Sequence, residues 1–188
     1  MGKTLILIID MQNGFQNAYT EGLDQKTLCF LDQLEEKGAD VLIAGTCYVN
    51  HEQTACYCFE GWKACMAGSK EAEILDSLRP RMQQIFRKDK YSCWNGEMRQ
   101  FVRENDIEKV YFTGVNTGCC VLHSAFDFYN DLVDCSVIED LCASTSGVRE
   151  HEAALIVLRS CITKERVIPA EQAVEEILLH QGAKQGRQ

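Results

Sequence analysis

The stretch TLILIIDMQNGF, residues 4–15, decides the architecture. Leu5, Ile6, Leu7, Ile8 and Ile9 run without a polar interruption, and a carboxylate, Asp10, follows at once. A strand with no polar alternation is covered on both faces, which is the habit of a parallel sheet between two layers of helices. The same run is too short for the core of a secretory signal or for a membrane span of ~20 residues.

The rest of the chain repeats this beginning. Leu28, Leu31 and Leu34 recur at helical spacing, and Gly38 follows as a stop. Residues 40–46 (DVLIAGT) read as a second strand and 84–88 as a third. The stretch 47–69 has no period, carries aromatics and four cysteines, and reads as a long loop covering a site. A short helix is expected over 70–78, ending before Pro80, and another after Asn95 as its N-cap, with Met98, Phe101 and Val102 inward. The second half predicts a strand over 109–114, a helix over 117–129, a strand over 132–139 and a helix over 148–160. A short strand near Ile162 and a final helix from Pro169 complete it, with a polar tail, 182–188, expected to fray. Strand alternating with helix, without repeat or linker, predicts a single three-layer α/β domain spanning 1–188. The expected sheet is six-stranded and mainly parallel, with helices on both faces, and the doubly wound order 3-2-1-4-5-6 is assumed for it.

Composition narrows the function. With 188 residues, 46% of them apolar, the chain can bury a full core without staples. Its net charge of -9 and the lack of a Lys/Arg cluster argue against nucleic-acid and anionic-membrane partners and leave a small molecule as the expected one. Eleven cysteines, an odd count, in a chain of this size and with no signal-like start point to a reducing, cytoplasmic location.

In a doubly wound sheet, ligands bind beyond the carboxyl ends of the strands. The first strand ends in Asp10. The third runs into RKDKYSCW, residues 87–94, where Lys88 and Lys90 point the same way. The fourth ends in TGVNTGCCV, residues 113–121, with Cys119 and Cys120 in the first turn of a helix, where unpaired N–H groups and the helix dipole favour a thiolate. Only one of these two cysteines can face the cleft.

Together these strand ends resemble the isochorismatase-like cysteine hydrolases, the superfamily of nicotinamidases, N-carbamoylsarcosine amidohydrolases and ureidoacrylate amidohydrolases. The family marks are D-M-Q-N-x-F after the first strand, K-x-x-Y-S-x-aromatic after the third, and G-V-x-T-x-x-C-V at a helix start. They fall on Asp10, Lys88 and Cys120, and leave Lys90 as a fallback. The stretch that follows also resembles the family's helix and strand, with Asp127 in the matching acidic position and Asp140 after the fifth strand.

The resemblance implies a catalytic set of Cys120 as nucleophile, Asp10 as base and Lys88 as the stabilising cation. It also implies an oxyanion hole from the backbone N–H groups of Asn116 and Cys120, with a cis peptide between Val115 and Asn116. The implied reaction is cleavage of a C–N bond in a small amide, carbamoyl or ureido compound through a Cys120 thioester, without a cofactor, in a homo-oligomer (a dimer or tetramer). The sheet order sets a difficulty, because Lys88 would lie two strands, about 9.5 Å, from Asp10.

Departures from the family are equally informative. Nicotinamidases hold a metal through Asp and His after the second strand, whereas here TCYVNHEQ places Tyr48 and Asn50 at those positions, so no metal is expected. A substitute zinc site from His51, Cys47, Cys56, Cys58 and Cys65 lacks the usual ligand spacing. The family's acidic residue after D-M-Q-N is Gly14. Phe15 and Trp94 are the expected substrate-binding wall, and His123 and His151 read as packing residues. The remaining cysteines, Cys29, Cys93, Cys135, Cys142 and Cys161, read as small apolar residues. Two other readings stay open: hydrolysis of an isochorismate-like vinyl ether, and a non-catalytic, redox-sensing thiol protein on the same fold.

Overall fold

The computed structural model describes residues 2–185. Six strands, β1 (Lys3–Ile9), β2 (Val41–Tyr48), β3 (Gln84–Lys88), β4 (Ile107–Val115), β5 (Asp134–Ala143) and β6 (Val167–Ile168), form one sheet in the order β3-β2-β1-β4-β5-β6. Every pairing is parallel. The helices are α1 (Leu23–Glu36), α2 (Ala55–Glu60), α3 (Gly96–Glu104), α4 (Leu122–Asn130), α5 (Val148–Cys161) and α6 (Ala170–Gln185).

The central strand accounts for both layers. Leu5, Leu7 and Ile9 point to one side, where they join Met98 and Val102 of α3, Ala125 and Phe128 of α4, and Leu155 and Leu158 of α5. Ile6 and Ile8 point to the other, against Phe30, Leu31 and Leu34 of α1 and Ala173, Val174 and Ile177 of α6. All five of these β1 side chains are 0% exposed, so the unbroken apolar run is the record of two cores sharing one strand. Full burial of each such side chain contributes roughly 1.5–3 kcal/mol. Among the described residues no helix is long and apolar enough to cross a membrane.

Local expectations divide by mechanism. Asn95 caps α3 as its sequence suggests, its Oδ1 accepting from the Met98 amide at 3.0 Å, and Gly38 follows α1 with φ 70°. The stretch 47–69 contains α2, started by Thr54, whose Oγ1 accepts from the Tyr57 amide. The helix expected over 70–78 is only a 3-10 turn at Lys70–Ala72, because Ile74 bridges to Gln12 and Ile74, Leu75 and Leu78 are drawn into the core. Pro80 sits inside a second 3-10 turn, Arg79–Arg81, rather than ending a helix.

The last third also shifts. Leu132 belongs to the turn before β5, with φ 62°, and is 94% exposed. The final strand is Val167–Ile168, while Ile162 caps α5 and is buried. α6 begins one residue after Pro169 and runs to Gln185, so part of the tail expected to fray is helical, and 186–188 lie outside the described residues. Cys29 and Cys161 are exposed on helices rather than buried, whereas Cys93, Cys135 and Cys142 are buried.

One glycine positions the strand ends. Gly114 has φ 107°, and a Cβ there would lie 2.1 Å from the carbonyl oxygen of Ile9. β4 skips register against β5 at this point, pairing Phe112 with Val137 but Gly114 with Cys142. The ends of β1 and β4 can therefore approach only without a side chain at 114. Gly114→Ala should destabilise the protein by about 2–4 kcal/mol, through strained φ and backbone overlap together. In thermal unfolding this is a fall in Tm of about 5–15 °C.

Candidate active site

Asp10 follows β1 directly, at φ 47°, a left-handed conformation that an Asp tolerates better than most residues. It is 0% exposed. Thr46 of β2 donates from Oγ1 to Asp10 Oδ1 at 2.6 Å and accepts from the Asp10 amide at 3.2 Å. The other carboxylate oxygen, Oδ2, lies 2.6 Å from Lys88 Nζ. Lys88, the last residue of β3, spans the intervening strand with its own extended stem, so the 9.5 Å expected between strands does not separate the charges. Lys90 is exposed and contributes its carbonyl, which accepts from Lys88 Nζ at 3.1 Å.

The third Lys88 contact is Cys120 Sγ, at 3.2 Å. The ammonium thus has a carboxylate, a carbonyl and a sulfur for its three N–H groups, which satisfies its donor inventory in a buried setting. Burial alone would lower the Lys88 pKa, but the charge of Asp10 and the neighbouring Cys120 carry it above the ordinary lysine value.

Cys120 lies in a π-helical turn, Thr117–Val121, that leads into α4. The carbonyl of Asn116 accepts from Cys119 and Val121, the residues on either side of it, at 3.0 and 3.2 Å. The Val115–Asn116 peptide is cis, and the Asn116 side chain accepts from the Thr145 amide at 2.8 Å. Thr117 and His151 of α5 meet at 2.8 Å, and His123 Nδ1 lies 2.8 Å from the Cys119 carbonyl, so both histidines hold this turn from outside.

Burial and the Asp10 charge act against a thiolate at Cys120, and Lys88 acts for one. The balance holds its pKa well above the ordinary value. A base is therefore needed at the moment of attack, and Asp10 is adjacent.

Of these groups Cys120, with Asn116 and Cys119 beside it, lines a cleft of about 430 Å³, and Asp10 and Lys88 lie buried behind it. Phe15 and Trp62 stack along it at 5.6 Å between ring centroids, Tyr48 tilts against Trp62 at 5.9 Å, and Tyr91 also lines it. Phe15 thus lines the cleft. Trp94, expected beside it, does not: it packs on Phe128 at 4.1 Å, with its Nε1 bonded to Asp131 and Arg99 over its ring. The turn after Lys88 is pinned by the Cys93 amide donating to Ser124 Oγ, and Trp94 beside it packs on Phe128 of α4 instead of on the cleft.

The polar residues after β2 are engaged in hydrogen bonds of their own. The Asn50 amide is consumed within its own loop, donating to Trp62 and Ala64 carbonyls at 2.8 and 3.1 Å and accepting from Thr54. His51 pairs with Asp89 at the surface, and the thiols of Cys47 and Cys65 donate to backbone carbonyls. Among the described residues no three His, Cys, Asp or Glu side chains converge. Gly14 lines the same cleft, and a Cβ there would lie 2.5 Å from Cys65 Sγ, so the loop cysteine leaves no room for an acidic side chain. All eleven cysteines are free thiols.

Several residues that matter to this geometry carry no chemical signature in the sequence. Gln12 links the loops by donating to the Tyr48 and Ala72 carbonyls and accepting from the Tyr48 amide. Thr46 fixes the Asp10 carboxylate, and Glu60 reaches the cleft from α2. Only Gln12 had a signal, its place beside Asp10.

The doubly wound 3-2-1-4-5-6 sheet is common to several folds, and its superposition on solved isochorismatase-like hydrolases places this chain in their fold. The sequence profile of the isochorismatase domain matches residues 4–169, and the chain belongs to that family. Isochorismatase family protein 2A of Dictyostelium discoideum is 32% identical over 73 residues, covering 38% of this chain. The match spans 36% of that relative's length. An isochorismatase-like hydrolase from Alkaliphilus metalliredigens superposes with a TM-score of 0.81 at 20% identity, covering 93% of this chain and 99% of its own. A nicotinamidase from Bacillus subtilis gives 0.75 at 20% identity over 88% and 99% of the two chains. N-carbamoylsarcosine amidase from Thermoplasma acidophilum gives 0.75 at 18% identity over 89% and 96%.

Two outcomes follow from this geometry. Asp10→Asn or Lys88→Met alone strands one buried charge and should cost about 3–5 kcal/mol in urea unfolding, whereas the double variant should cost clearly less than the sum. At neutral pH, iodoacetamide should modify Cys120 more slowly than exposed Cys29, Cys58 and Cys161, as read by peptide mass spectrometry. The rate should rise with pH, and Asp10→Asn should speed it by removing the charge that holds the proton on sulfur.

Proposed function

We propose that this protein cleaves a C–N bond in a small amide, carbamoyl or ureido compound, with Cys120, Asp10 and Lys88 as its catalytic residues. The observation that carries the reading is Lys88 Nζ, held 2.6 Å from the Asp10 carboxylate and 3.2 Å from Cys120 Sγ, beside a cleft of about 430 Å³. Family membership supports the hydrolytic class, and the names of the nicotinamidase and amidase neighbours point towards amides.

The reaction begins with the protonated thiol. Asp10 takes the Sγ proton as sulfur adds to the substrate carbonyl, and the oxyanion forms against the backbone N–H groups of Asn116 and Cys120. Lys88 keeps the Asp10 carboxylate ionised before this transfer and stabilises the sulfur as its proton leaves. The tetrahedral adduct collapses, the C–N bond breaks, and the proton on Asp10 passes to the departing nitrogen, which leaves as ammonia or an amine. The acyl group is now a thioester on Cys120. Water adds to that carbonyl while Asp10 takes one of its protons. The C–S bond then breaks, the acid is released, and the proton returns to sulfur.

The test is ammonia release from a panel of small primary amides, carbamoyl compounds and ureides, with intact-protein mass spectrometry on quenched reactions. Turnover with an acyl mass on Cys120 is expected. Cys120→Ala and Asp10→Asn should each lower kcat by about 10³-fold or more, and Lys88→Met by about 10²-fold or more. Turnover that survives Cys120→Ala would refute the mechanism.

A further inference from the structure

The cleft has an uneven charge. Among its described lining residues, Glu60 is the one carboxylate or cation, because Lys88 is spent on buried Asp10 and does not line it. Glu60 closes α2 and accepts from the Tyr91 hydroxyl at 2.9 Å, which holds its carboxylate against an aromatic wall. That wall includes the stacked Phe15 and Trp62 rings, whose faces carry negative potential. Tyr48 already receives a cation on its ring, with Lys88 Nζ 5.3 Å from the centroid. The field of Glu60 reaches the residue beside the nucleophile: after burial, it is the next cause raising the Cys119 pKa. The whole chain adds the same sign, with a net charge of -9.

We infer that this cleft selects amide substrates bearing a positively charged amine or ammonium group, with Glu60 and the Phe15–Trp62 pair as the cation site. The inference rests on the proposed function for the reacting end of the molecule. The amide carbon reaches Cys120 while the cationic group lies against Glu60 and the ring faces, where a partly desolvated cation is attracted both by the carboxylate and by the ring quadrupoles. A substrate with a carboxylate in place of the cation finds no described lining cation to pair with and meets Glu60 instead. Discrimination therefore comes from attraction of one class and repulsion of the other.

The experiment uses three primary amides of matched shape, carrying a trimethylammonium, a tert-butyl or a carboxylate group at the same distance from the amide. Binding to full-length Cys120→Ala protein is measured by calorimetry, and ammonia release is measured with the wild type. The trimethylammonium compound should bind about tenfold or more tighter than the tert-butyl compound, and the carboxylate compound weakest. Adding Glu60→Gln should bring the cation-to-neutral ratio to within about twofold, and Trp62→Leu should also reduce it. Thermal melts check that both variants fold. Equal affinity for the three compounds, tightest binding of the carboxylate, no binding by any, or a ratio untouched by Glu60→Gln would overturn the inference. The charge order without ammonia release from any compound would sink the proposed hydrolysis while sustaining the cation site. Ammonia release with no charge preference would do the reverse.

Discussion

The buried ion pair between Asp10 and Lys88 is the constraint around which the carboxyl end of the sheet is arranged. Both side chains are at most 2% exposed, and their 2.6 Å separation must offset the loss of two hydration shells. The pair persists because each partner has further polar contacts: Thr46 for the carboxylate, and the Lys90 carbonyl and Cys120 sulfur for the ammonium. The sulfur is thus part of the set that satisfies the lysine, and its proton is governed by the same two charges.

Bringing those charges together depends on backbone that few residues can adopt. Asp10 turns at φ 47° immediately after β1, and Gly114 lets the Ile9 carbonyl sit where a Cβ would otherwise be. The π-turn after β4 then presents Cys120 between the two amides that bond to Asn116. The helices contribute by fixing these ends: α4 and α5 pack on the β1 face that carries Ile9, and His151 and His123 brace the turn from two sides. The stretch between β2 and β3 supplies Trp62 of the cleft's aromatic wall and Glu60, the one charged side chain among the described lining residues, and its Cys47 neighbour and Asn50 make internal hydrogen bonds to backbone carbonyls.

Much of this was legible beforehand. The unbroken run from Leu5 to Ile9 required a strand covered twice, and alternating strands and helices pointed to a mainly parallel sheet, which is what forms. Asp10, Lys88 and Cys120 could be picked out from motif spacing, and the structure brings all three together. Less legible were the segments whose conformation is set by distant contacts. The stretch 70–78 has a helical composition, but Ile74, Leu75 and Leu78 are buried by the core and the Gln12 bridge breaks the period. Trp94 follows the lysine motif closely, yet it packs on Phe128 of α4 instead of on the cleft.

By itself, then, the sequence determined the layer architecture and singled out the three candidate residues at the strand ends, because hydrophobic period and motif spacing are local properties of the chain. Tertiary structure alone decided the burial of Cys120 beside two opposite charges, the closing of a two-strand gap by one lysine stem, and the charge of the described cleft lining. The reason is physical. Desolvation and Coulomb terms depend on distances between Asp10, Thr46, Lys88 and Cys120, residues up to 110 positions apart, and a chain carries no such distance until it folds.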